Sequence, residues 1–311
     1  MIVKPENMNF KDKKFSMIIY GPPGVGKTTL ALSAPTPLLL DFDRGVSRVR
    51  AAHRRDTSFC ANYREVLADI NSQDIRNYET VIIDTGGSFV TFLKDWARTD
   101  KKAVTKSGEF DTRRGFGYVK AEFASFTEDI KTRLNMNVIY IFHSAEEKDK
   151  DGNPIQRLVC EGSVRNSVWT PCDFGGYLQM IGTQRMICFT PEQEYFAKGC
   201  HGIQGRVPVP ALGPNDPNNF ITRLFDTAKA NIAAENEELA PIREQYEEVM
   251  SMVRQLIDAI VDAESANIAL AEIPTLDHIL TSKKEASAML KAKAESVGLK
   301  YTPEGYVQKE E

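Results

Sequence analysis

Eight consecutive residues, Gly21-Pro22-Pro23-Gly24-Val25-Gly26-Lys27-Thr28, fit G-x-x-x-x-G-K-[ST] at every fixed position and run on into Thr29. Glycines at those places let the backbone wind so that successive N–H groups turn inward on a polyphosphate, and a helix start adds partial positive charge. Lys27 then reaches the β- and γ-phosphates, the Thr28 hydroxyl takes a magnesium position, and Gly21 to Thr29 form the cradle, which implies ATP and Mg2+ as cofactors. Acids and a histidine stand where three apolar runs end: Asp41 and Asp43 after residues 37–40, Asp84 after 80–83, and His143 after 137–142. Asp84 has the place of a Walker B carboxylate, holding magnesium opposite Thr28. Asp43, further beyond its run than Asp41, is read as the acid that orients an attacking water; the plainer alternative is that both acids cap the next helix, near 46–55. His143 is read as a sensor of the γ-phosphate. Lys198 and Arg185 are candidate cations for a neighbouring subunit's nucleotide, or plain surface charges.

The elements that must position these groups follow from periodicity and punctuation. Residues 15–20 read as a buried strand, 28–34 as a helix stopped by Pro35, and 37–43, 78–85 and 137–143 as further buried strands. Helices are expected over 63–70, 89–98 and 118–134. The fold class implied is α/β, a P-loop core built on a parallel sheet. Short runs at 177–181, 185–190 and 195–198 read as antiparallel strands added at the sheet edge, and 205–219, with Pro208, Pro210, Pro214 and Pro217, as a linker. Beyond it, helices are expected over 220–234, 240–263 and 276–297, with a small hairpin around Pro303-Glu304-Gly305. The division expected is a core over 1–234 and a helical region over 235–311.

Two charged segments stand apart. Residues 99–117 carry Lys101, Lys102, Lys106, Arg113 and Arg114 against Asp100, Glu109 and Asp111, and read as a mobile basic loop or an ordinary solvated one. Residues 144–168 carry Lys148, Arg157 and Arg165 and form a second candidate contact loop. Across all 311 residues the net charge is −4 and the pI about 5.8. A uniformly basic nucleic-acid coat is therefore excluded, and an anionic partner must be met by local patches. Five cysteines, odd in number and without a C-x-x-C pair, favour a reducing compartment, and Cys200-His201 lacks the short ligand pairs of a zinc module. No apolar run approaches the roughly 20 residues that cross a bilayer, and residues 1–14 are charged without an apolar leader core, so no membrane partner and a cytoplasmic protein are expected.

The ordered set GPPGVGKTT, LLLDFDRG, TVIIDTGG, VIYIFHSAEE and EYFAKG, spread over 14–198, resembles the RecA-like ATPases. Within them it is similar to the phage nucleotide-binding ATPases that act as single-strand annealing proteins, the Sak-four group. That resemblance implies a RecA-like core that binds single-stranded DNA, assembles as a ring or filament of identical subunits and promotes annealing or recombination, with a single-strand-binding protein as a further partner. It implies the host cytoplasm for a phage protein. It makes 99–117 and 144–168 the DNA-facing loops, where the eight cations named above neutralise phosphates and Phe110, Phe116, Tyr118 or Trp169 stack on bases. Lys198 resembles the cation such assemblies insert across the subunit boundary. Two departures stand out: Asp43 is where these cores usually carry a glutamate, and His143 where many carry a glutamine. An ATPase that loads or remodels a protein partner, and a nucleotide switch without turnover, are the alternatives.

Overall fold

The computed structural model describes residue 10 and residues 12–309, so the reading of 1–14 falls largely outside the described residues. The apolar runs become strands buried on both faces, β1 (Ser16–Gly21), β2 (Pro37–Asp41) and β4 (Thr80–Asp84), with a two-residue β3 (Thr57–Ser58) at the margin. β5 (Asn137–Lys148) and β7 (Phe174–Ile181) complete the parallel part, and β8 (Gln184–Cys188) and β9 (Arg206–Val209) extend it antiparallel. The strand order is β3-β2-β4-β5-β1-β7-β8-β9. The fold is thus α/β, a mostly parallel sheet with antiparallel edge strands. Register fixes the working rim: Asp41 lies beside Asp84, Asp84 beside Ile141, and Gly21 beside His143.

Helices α2 (Tyr63–Ile70), α3 (Gly86–Ala97) and α4 (Thr112–Thr132) cover one face, their Val66, Phe89, Leu93 and Phe123 packing on Ile18, Tyr20, Ile83 and Tyr140. Short α1 (Lys27–Ala31) follows the phosphate loop, and Phe225, near the start of α6 (Phe220–Asp258), meets Phe15 and Phe174 with ring centroids 5.2 and 6.1 Å away. The alternation of inward residues along each strand is what lets a parallel sheet bury both sides.

Several expectations are corrected. The run 46–55 forms two single 3-10 turns, Gly45–Arg48 and Ala51–His53, instead of a helix. β7 is parallel, because it pairs with β1; at that edge of the sheet the antiparallel strands are β8 and β9. Residues 195–198 contribute isolated bridges, Gln156 with Tyr195 and Gly175 with Lys198, and no strand. β9 lies inside the proline-rich segment, with Pro208 opposite Met186 on the outermost strand, where a missing N–H costs the ladder little. α4 begins six residues earlier than the periodicity suggests, since Asp111 caps it by accepting from the N–H groups of Arg113 and Arg114. Segment 144–168 is a ribbon: β5 turns at Asp149 and returns as β6 (Pro154–Leu158), followed by one turn of helix, α5 (Val164–Ser167). Finally, α6 is one helix of 39 residues through Pro241, because the alanines and glutamates before it are strong helix formers and offset one lost backbone bond.

The described residues group into two compact units, 10–231 and 232 onward. The second has its own core, Val253, Ile257, Ile260, Leu290 and Leu299, made by the end of α6, α7 (Ala263–Glu272), α8 (Ser282–Ser296) and the hairpin β10 (Leu299–Thr302) and β11 (Gly305–Gln308). Among the described residues no helix is long and apolar enough to cross a membrane.

At the rim opposite the phosphate loop, Asp173 ties β1 to β7. Its Oδ2 accepts from the Ser16 N–H at 2.8 Å and the Ser16 hydroxyl at 2.9 Å, with Lys131 Nζ at 3.3 Å. Burial works against the charged carboxylate, yet the Ser16 donors, Lys131 and Lys13 hold its pKa below the ordinary value. A depressed folded pKa gives stability that is present above the unfolded value, about 3.9, and lost as pH falls through the folded one. Asp173→Asn is expected to cost about 1–3 kcal/mol in urea unfolding at pH 7, and the gap from the parent should close below about pH 4.

Candidate nucleotide site

β1 delivers the phosphate loop. A Cβ on Gly21 would stand 2.1 Å from the Leu178 carbonyl oxygen, so only glycine allows β1 and β7 to approach so closely there. Gly24 and Gly26 take φ of 78° and 93°, left-handed values that turn the loop back on itself. Within that loop Pro23 is exposed and Val25 buried, while Pro22 leads into the side chain that matters most. Lys27 is only 5% exposed, and its Nζ donates to the carbonyls of Gly21 at 3.0 Å and Pro22 at 2.8 Å. It also stands 3.3 Å from His143 Nδ1. An ammonium has donors alone, so Nδ1 accepts and the imidazole proton is assigned to Nε2. Burial pulls Lys27 down to about 8, against the attraction of Asp84. Burial and then the Lys27 charge lower His143 too, which keeps it a neutral donor at neutral pH.

On the next strand but one, Asp84 accepts from Thr28 Oγ1 at 2.6 Å. Burial pushes this carboxylate up to about 6; Asp41 and Asp43 add to the rise, while the Thr28 bond and Lys27 oppose it. The two acids of the β2 end part ways. Asp41 is 1% exposed and its two oxygens accept from the N–H groups of Gly45, at 2.9 Å, and Val46, at 2.8 Å, so the capping alternative describes Asp41. Asp43 is exposed and, among the described residues, takes only the Ser88 hydroxyl, at 2.9 Å.

Lys27, Thr28, Thr29, Asp43, Asp84 and His143 line one cavity of about 230 Å3. Arg48 lines it as well. No motif marks Arg48; the signal that finds it is the basic run Arg44 to Arg55 immediately after Asp43. The residues fit the cofactors. Thr28 and Asp84 are hard oxygen donors already in contact, and among the described residues no group of three or more His, Cys, Asp or Glu is arranged as a full metal cage. That is the donor set of Mg2+, which takes one or two protein oxygens and completes its shell with water and phosphate.

The two candidate cations are each held by a carbonyl of their own chain. Lys198 lies at the opposite rim, bridged to Gly175, and its Nζ donates to the Cys172 carbonyl of its own chain. Arg185 serves the loop in its own subunit: its Nε donates to the Val25 carbonyl at 2.6 Å, and its guanidinium packs over Gly26.

The basic segments divide similarly. Lys101, Lys102, Lys106, Arg113 and Arg114 are all exposed, the last two on the first turn of α4. The ribbon is not basic: Glu146, Glu147, Asp149 and Asp151 outnumber Lys148, Lys150 and Arg157 over 144–158, and Arg165 is paired with Glu147. Of the aromatic candidates, Phe110 and Phe116 pack edge to face, 5.3 Å between centroids, with Lys94 Nζ 5.5 Å from the first ring, and Tyr118 is half-buried. These three are occupied inside their own chain. Trp169 is half-buried beside Tyr20 and Phe196.

Residues 13–201, more than half of the chain, match the family described as an AAA domain. A solved structure presented as the structural and biochemical analysis of a prototypical ATPase from the type III secretion system of pathogenic bacteria is similar at 13% identity and a TM-score of 0.33. The match covers 54% of this chain and spans about half, 52%, of that one. No curated protein matches.

Charge states at the site set a pH window for nucleotide. Holding phosphate needs Lys27 protonated, which fails as pH rises through about 8, and holding metal needs Asp84 ionised, which fails as pH falls through about 6. Affinity for a fluorescent ATP analogue with Mg2+ should be greatest between those values and weaken on both sides. Asp84→Asn should remove the acid limb and Lys27→Ala the alkaline one.

Proposed function

The chain belongs to the AAA domain family, and from that premise we propose an ATP- and Mg2+-dependent ATPase that binds single-stranded DNA and promotes annealing or recombination. In this reading it assembles on DNA as a homo-oligomer, works in the cytoplasm, that of the host for a phage protein, and meets a single-strand-binding protein there, as its likeness to the Sak-four annealing ATPases implies. One observation carries the ATPase part: Lys27, Thr28, Asp43, Asp84 and His143, drawn from four separate stretches, line one cavity. Lys27 and the N–H groups of Gly24 to Thr29 hold phosphate; Thr28 and Asp84 hold magnesium. Bound Mg2+ supplies Lewis-acid neutralisation of the phosphate charge. Asp43, exposed and fixed by Ser88, orients the attacking water, and the His143 Nε2–H and Arg48 face the charge that develops. For DNA, the supporting feature is the exposed basic stretch from Lys101 to Arg114, where five cations meet two acids.

A second reading, an ATPase acting on a protein partner, draws on the C-terminal unit. A groove of about 460 Å3 there is lined by Leu270, Ile273, Tyr301 and Tyr306 together with Lys291, Lys300 and Lys309. An anionic, apolar segment of another protein matches that chemistry.

Phosphate release with and without single-stranded DNA tests the first reading. Lys27→Ala should abolish it, and Asp43→Asn should lower kcat by roughly 100- to 10,000-fold with nucleotide affinity little changed. In a gel shift, alanine at Lys101, Lys102, Arg113 and Arg114 together should release the oligonucleotide. Retention equal to the parent's, with activity lost instead on alanine at Lys291, Lys300 and Lys309, favours the second.

A further inference from the structure

A second cavity of about 210 Å3 lies in the first unit, bounded by Tyr20, Trp169 and Phe196 as ring walls and by Arg157, Arg165 and Asn166. Its walls are built. Trp169 meets Tyr20 edge-on at 5.7 Å and Phe196 edge-on at 4.7 Å, and the Tyr20 hydroxyl donates to the Phe196 carbonyl at 2.6 Å. Yet Phe196 stays 43% exposed, an aromatic ring left at the mouth of a cavity. Arg157, on β6, is half-buried, and among the described residues its guanidinium makes no hydrogen bond or ion pair. A partly desolvated guanidinium without an acceptor is costly unless an anion completes it. Arg165 differs, because Glu147 already holds it.

Ring faces around a gap, beside an unmatched planar cation, suit a ligand that is both flat and anionic. We propose that this cavity takes one unstacked base of a single-stranded nucleic acid, the base against Phe196 and Trp169 and its phosphate on Arg157. The proposal rests on the reading of the chain as a DNA-binding protein and adds where a base is held. Tyr20 is the residue before Gly21, so the base site and the phosphate loop share strand β1. The Asn166 and Gln156 amides, also at the cavity, offer donors and acceptors to the base edge.

The test uses the full chain carrying Trp96→Phe, which leaves Trp169 as its single indole. It is titrated with an oligo(dT) and with an abasic sugar-phosphate strand of equal length. Oligo(dT) should quench the Trp169 emission and the abasic strand should not. Phe196→Ala, at an exposed ring, should weaken oligo(dT) binding about 5- to 100-fold and leave the abasic strand unaffected. Arg157→Met should weaken both and lower the log-log salt slope by about one. Equal binding of the two strands, with no quenching and no effect of Phe196→Ala, overturns the base site while leaving DNA binding intact. Binding of neither strand overturns the DNA reading and the base site together. Quenching by an acidic aromatic peptide alone reassigns the cavity to a protein partner.

Discussion

The structure turns on the hydrogen bond from Thr28 to Asp84. Thr28 opens α1 just after the loop that leaves β1, and Asp84 ends β4; the two strands are not neighbours, because β5 runs between them. Strands stand about 4.8 Å apart, so the two ends are roughly 10 Å from each other. No side chain of threonine length spans that gap from β1 itself. The chain solves it with the five residues after Gly21, whose left-handed glycines carry the loop over the end of β5 and set Thr28 down above β4. His143, at the end of the intervening strand, then lies directly under Lys27. The closeness of all these groups follows from strand order and one bent loop.

Much of that arrangement is legible in the sequence, because strand ends obey simple rules. A buried parallel strand is an apolar run, and a polar residue that ends it must emerge at the rim; Asp84 and His143 are placed by that reasoning alone. The choice between Asp41 and Asp43 was open for a physical reason. Both follow the same run, and which one caps the next turn depends on backbone that periodicity does not describe. Lys198 and Arg185 show the opposite limit. Cations near glycines look alike in a sequence, whereas carbonyl acceptors within their own chain decide where each one goes.

The charged segments depart from expectation for a related cause. Residues 144–168, read as a charged contact loop, form a hairpin on which alternation puts acids on the same ribbon as Lys148 and Arg157, and a pair such as Arg165 with Glu147 cancels locally. Phe110 and Phe116 likewise look available in a glycine-containing stretch. The Asp111 cap starts α4 early and draws both rings into contact with α3, where Lys94 covers them. Exposure is a tertiary property, and a single helix cap changed it here for several residues at once. The long helix α6 makes the same point, since one proline does not stop a run that good helix formers support on either side.

Asp43 shows how the shorter acid keeps a usable position. A carboxylate one methylene shorter than glutamate has less reach and depends more on what aims it. Ser88 supplies that aim: its hydroxyl donates to Asp43, stands 3.0 Å from the Thr85 hydroxyl, and its N–H bonds to the same Thr85 oxygen that caps α3. The direction of Asp43 is therefore set from the turn that also presents Asp84, so the acid proposed to orient water and the acid proposed to hold metal are fixed by one local structure. Because Ser88 occupies one oxygen of Asp43, the other is left to act at the cavity, whereas both oxygens of Asp41 are consumed by backbone N–H groups. Lone pairs already spent, more than distance from the strand, separate the acid that can do chemistry from the one that holds the turn.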